Sequence, residues 1–183
     1  MKNLLIAAAV GSVIVFMWQF LSWAPLGIHE SQMAHTDKQD AVLQALADSG
    51  LEEGAYFLPR LPASASNDEM QSFNDEMMGK PWARVHYHKA FSSNMGLNMF
   101  RGWLISFVSV FLLSWLLSKM AGLNMTTAII TALSVGLIGW MTVTYQESIW
   151  FETNAWPQLL DVGVQWGLTG AWLGWFLPSR INS

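Results

Sequence analysis

The sequence predicts an all-α membrane protein: four transmembrane helices, with a small α+β extracytoplasmic domain between the first and the second. Three observations lead to this class. The apolar residues, 52% of the 183-residue chain, fall in long uncharged runs at 3–23, 102–118, 120–146 and 162–179. Each run holds at least the roughly 17 residues that a helix needs to cross about 30 Å of hydrocarbon. Most of the eleven tryptophans stand near the ends of these runs, as interfacial aromatics do.

The expected order is helix one at 1–24, the polar domain at 25–99, helix two at 100–119, helix three at 120–146, an outer loop at 147–156, helix four at 157–178 and a tail at 179–183. Lys2 before an apolar run resembles a secretory signal peptide. Residues 20–25 offer no small-x-small cleavage site, so the run reads as a retained anchor. Within it, Ala7, Ala8, Gly11 and Ser12 give small-residue pairs suited to close packing. Pro25 ends the helix.

The polar segment has folded signals of its own. Thr36 with Gln39 and Ser66 with Glu69 read as capping boxes, opening helices that Gly50 and Gly79 close. Residues 55–58, closed by Pro59 and Pro62, suit a short edge strand. Residues 84–91 alternate, with Val85, Tyr87 and Phe91 on one face and Arg84, His86 and His88 on the other. Residues 92–99 read as a flexible approach to helix two. Residues 121–124 then force an antiparallel hairpin of helices two and three.

Helix three carries a ridge of Ala128, Ala132 and Gly136. Helix four is two-faced at 100° per residue. Gly163, Gly167, Gly170 and Gly174 form a ridge for packing against another helix. Gln158, Asp161, Gln165, Thr169 and Trp172 form a polar stripe opposite, which hydrocarbon would leave without hydrogen-bond partners. Protein or water is expected on both sides.

Orientation follows from basic residues in the short flanks. A cytoplasmic N-terminus puts Lys2, Lys119 and Arg180 inside and the acidic loop with Glu147 and Glu152 outside. Both termini are then cytoplasmic, the domain at 25–99 is extracytoplasmic, and the membrane is a cell inner membrane. Arg101 alone dissents.

Asp161 is the only acid inside an expected span, which makes it a functional candidate. It falls about 6 Å into its helix, so the plainer expectation is an acid stabilising the helix's positive end; the sharper one is a proton or ligand site of Asp161, Gln165 and Thr169. His86 and His88 are weak metal candidates from one strand face, against the plainer reading of solvated histidines. No cofactor is implied. Lack of cysteine excludes thiol catalysis and Cys-ligated metals, no basic cluster suits nucleic acid, and no phosphate loop, nucleophile elbow or HExxH pattern suggests an enzyme.

The run at 15–30 holds Phe16, Trp18, Ser22, Trp23, Pro25 and His29, and a later element holds Gly54, Tyr56 and Pro59. Together these resemble a set of uncharacterised bacterial integral membrane proteins in which a Trp-rich first helix is followed by a small outer domain and further helices. The resemblance implies the architecture and carries no activity. The expected function is a non-catalytic accessory or assembly subunit, whose partners are the lipid bilayer and another membrane protein or a second copy. A small transporter or ligand sensor using the polar face of helix four, and an outer-face metal binder, are the alternatives.

Overall fold

The computed structural model describes residues 1–181, in two compact units: Met1–Ala34 together with the chain from Asn94 onward, and His35–Ser93 between them. The chain is mostly helical. Three helical stretches, Lys2–Trp23, Met95–Leu117 and Met125–Phe151, are long and apolar enough to cross a membrane.

In the first unit, α1 (Lys2–Trp23) packs on α4 (Met95–Leu117), and α7 (Trp156–Phe176) packs on both α1 and α5 (Met125–Gly139). The spatial order is α4, α1, α7, α5. A short helix α8 (Pro178–Ile181) follows. Small residues set the neighbours. A Cβ on Gly11 of α1 would lie 2.6 Å from Val110 Cγ1 of α4. On α7, a Cβ on Gly170 would meet Ile129 Cα at 2.8 Å, and one on Gly174 would meet Met125 Cα at 2.8 Å. Backbones this close exclude any side chain, and dispersion contacts replace it.

Apolar side chains fill one end of this unit: Leu4 and Ala7 of α1, Leu113 and Leu117 of α4, Ala128 of α5, and Leu173 with Leu177 are all buried there. The other end is polar. The expected hairpin of helices two and three is loose, because α4 and α5 meet through few residues; each finds its main contact on a non-neighbour in sequence.

Several boundaries differ from the sequence reading. Residues 95–99 are helical, because the Asn94 side chain accepts from Leu97 N and starts α4 five residues before the expected point. Helix three does not stop at 146. It runs from α5 through a π-helical turn (Trp140–Tyr145) into α6 (Gln146–Phe151), so the loop expected at 147–156 shrinks to the residues around Glu152, whose φ is 51°. The polar domain expected at 25–99 loses its first residues, 25–34, to the helical unit. The tail expected at 179–183 lies partly outside the described residues.

The second unit has α2 (Gln39–Asp48), β1 (Gly54–Leu58), α3 (Asn67–Met77) and β2 (Ala83–Tyr87). The strands pair antiparallel, Tyr56 opposite Val85. Ser66 and Glu69 form a reciprocal capping box; Thr36 does not, since Lys38 is the N-cap of α2 and makes no side-chain cap. Val85 and Tyr87 point inward, but β2 ends at Tyr87, leaving His88 outside the strand and Phe91 97% exposed.

Candidate functional site

The polar end of the helical unit is built by the chain reversing after α1. Pro25 cannot continue the helix, Gly27 turns it with a φ of 59° that a side chain would strain, and Ile28 N donates back to Ser22 O at 3.2 Å. This fold-back puts His29 beneath the end of α1. Its ring stacks on Trp23 with centroids 4.0 Å apart and planes 3° from parallel, and it is 1% exposed.

Asp161, in the second turn of α7, meets it there. Oδ1 accepts from Ser22 Oγ at 2.6 Å and from Trp18 Nε1 at 2.9 Å; Oδ2 lies 2.8 Å from His29 Nε2. Trp18 and Ser22 are one helical turn apart on α1, so both reach one carboxylate. The expectation that Asp161 serves the start of its own helix is thereby corrected. Ala155 is the N-cap of α7 and makes no side-chain cap, the Asn154 amide oxygen accepting from Trp156 N instead, while the carboxylate is buried and held by three groups from 18–29.

Next to the pair, Gln32 and Gln158 exchange amide hydrogen bonds at 2.8 and 2.9 Å. Gln32 Nε2 also donates to the Asn154 carbonyl, which can only accept, so its Oε1 faces His29 Nδ1 at 2.9 Å. Nδ1 must therefore donate. Nε2 faces Asp161 Oδ2 at 2.8 Å and Ser22 Oγ at 3.1 Å.

Beside this cluster lies a cleft of about 970 Å³, lined by α1 (Gln19, Trp23), α7 (Gln158, Asp161, Gln165, Trp166) and α5 with its π-helical turn (Gly136, Gly139, Trp140, Thr144). From Gln158 to Trp166 it follows α7 for about 12 Å. On α4 only Asn98 reaches it, so the side between α4 and α5 is unwalled. The π-helical turn swings Trp140 inward, where Nε1 donates to Ala155 O at 3.0 Å. Single π turns inside α-helices recur at functional sites.

The residues singled out in the sequence are therefore divided. Asp161 and Gln165 line the cleft; Thr169 does not, being wholly buried, with its hydroxyl unpartnered among the described residues. Ala128 and Ala132 lie against Gly174 and Gly170, and Gly136 lies under the Trp166 indole. The ridge is not uniform: a Cβ on Gly167 would find only Leu133 Cδ2 at 3.8 Å, and one on Gly163 nothing within 4 Å. His86 and His88 border a groove in the second unit, and among the described residues no three metal-ligating side chains cluster.

Sequence reasoning gave Trp18, Ser22 and His29 only as residues of the resemblance, not of a site, and missed Gln19, Gln32 and Trp140. The i, i+4 pair of Trp18 and Ser22, with Gln19 beside it, was a readable polar stripe on α1. The reversal that delivers His29 had only Pro25 and Gly27 as signals, and the π turn had none. Set against known proteins, the chain matches no family model, no curated protein and no solved structure.

Proposed function

We propose that the chain is a four-span protein of a bacterial inner membrane that holds a small molecule in the cleft between α1, α5 and α7, as a sensor or transporter and not as an enzyme. The observation that carries this reading is the cleft itself. Polar side chains from three helices converge on a space of ligand size, with a buried pair of titratable groups at its edge, the arrangement that most small-molecule sites share.

What supports a fourth span is the way α7 is enclosed. Its glutamines, Asp161 and glycines lower its hydropathy below that of the other three, but α1 covers its polar stripe and α5 its close-packed glycines. Lipid then meets mainly Leu160, Leu168 and Trp175, all exposed. With 21 residues it spans about 32 Å. Basic flanking residues favour cytoplasmic termini and, with them, an extracytoplasmic end for the cleft.

An accessory subunit was expected because α7 asked for protein on two sides. Two helices of the same chain supply both, which removes that motive for an outside partner.

The chain has no cysteine, so one introduced thiol reports one place. Gly139→Cys adds a thiol to the cleft where a Cβ has free space, and Ile138→Cys, 59% exposed, adds one on the apolar flank. A small, neutral, water-soluble maleimide applied from outside should modify the first and spare the second, whose thiol stays un-ionised against lipid. Equal protection of both would defeat the reading.

A further inference from the structure

The chemistry of the cleft restricts its occupant, a step that rests on the cleft being a binding site. We infer that it takes a neutral amphiphile with a flat, carbonyl- or hydroxyl-bearing head and an apolar tail, the chemistry of an isoprenoid quinone. The head lies against Gln19 and Gln165, and the tail leaves between α4 and α5.

Charge decides first. No lysine or arginine lines the cleft among the described residues, while the Asp161 carboxyl does. A phosphate or carboxylate head would lose its hydration without gaining a counter-charge, which is strongly unfavourable in a low-dielectric site.

Hydrogen-bonding capacity decides next. Gln19 Nε2 and Gln165 Oε1 touch only across 3.5 Å, and among the described residues Gln19 Oε1 and Gln165 Nε2 have no partner. One spare acceptor and one spare donor therefore stand side by side in the cleft: the Gln165 donor suits a carbonyl of the oxidised head, and the Gln19 acceptor suits the hydroxyl that the reduced head carries. Flat walls come from Trp140 and Trp166, and the second lies close because Gly136 has no side chain; a Cβ there would approach Trp166 Cγ to 2.8 Å. Indole faces favour planar, weakly polar groups.

The tail has an exit. The side of the cleft between α4 and α5 is unwalled beyond Asn98, and the flanking helices expose Ile105 and Ile138, at 68% and 59%. An alkyl or prenyl chain leaving there stays in apolar surroundings.

The test uses the full-length protein in phosphatidylcholine nanodiscs, titrated calorimetrically with decylubiquinone and with decyl phosphate, which has the same tail length but an anionic head; empty discs are the blank. The expected result is saturable one-to-one uptake of decylubiquinone and none of decyl phosphate. Gln165→Leu, which removes the spare donor, should weaken uptake about tenfold, the equivalent of roughly one good hydrogen bond. If that variant fails to fold, Val135→Trp fills the cleft from α5 and should abolish uptake. Uptake of decyl phosphate, no saturable uptake of the quinone, or unchanged affinity in a folded cleft variant would overturn the inference. Reaction of the Gly139→Cys thiol in the same discs separates the failures: if it still reacts, the ligand class is wrong and the cleft stands; if it does not, the cleft reading falls too.

Discussion

His29 Nε2 stands 2.8 Å from Asp161 Oδ2, joining residues 132 positions apart in the chain, and the same carboxylate accepts from Trp18 and Ser22. One side chain of α7 thus ties down the end of α1 and the reversal after it. Trp18 and Ser22 donate to one carboxylate oxygen and His29 faces the other, so truncating the side chain strands all three groups. Asp161→Ala should cost about 3 to 5 kcal/mol, the range for breaking a buried pair, measured by denaturant unfolding in mild detergent. A loss under 1 kcal/mol would show that Asp161 is a surface group in effect.

The glycines of α7 should not behave alike. Gly170→Ala and Gly174→Ala push a methyl against the α5 backbone and should each destabilise by about 1 to 3 kcal/mol. Gly163→Ala meets open space and should stabilise slightly, since alanine is the better helix former by up to about 1 kcal/mol. Parallel unfolding curves for the three variants check this.

Thr169 is wholly buried and its hydroxyl has no hydrogen-bond partner among the described residues. Thr169→Val replaces that group with a methyl of similar shape. The variant should be more stable by about 1 kcal/mol, the lower part of the cost of an unsatisfied buried polar group, and ligand uptake should be unaffected because the residue lies off the cleft.

What was legible in the sequence is what depends on one helix at a time. The two-faced character of α7 follows from a 100° count, and the structure places α1 on its Asp161 side and α5 on the side of Gly170 and Gly174. The difference between Gly170 and Gly163 is invisible to that count, because it depends on how α5 crosses α7. Asp161 stood out as a lone acid in an apolar run; its three partners could not be assigned, since the fold-back that carries His29 to it is a tertiary event. In the small unit the Ser66–Glu69 box was readable because both partners lie within one turn, whereas Thr36 had the right residue at the wrong register.

Glu69 offers a pH test outside the helical unit. The Ser66 backbone N–H and then its hydroxyl hold the Glu69 carboxyl below its ordinary value. The folded value lies below the unfolded one, so the contribution to α3 is complete above the ordinary carboxylate range and is lost as pH falls through the folded value. Protection factors for amide exchange in residues 67–70, corrected for the intrinsic rate at each pH, should therefore fall on acidification, and Glu69→Gln should flatten that response.

The most direct test of the central claim is a native mass measurement on the protein extracted in mild detergent. A chain that holds a ligand in this cleft should carry a stoichiometric small-molecule mass, and Val135→Trp, which fills the cleft, should remove it while leaving the chain folded. A bare chain mass, or a retained second protein with no small molecule in either variant, would contradict the account.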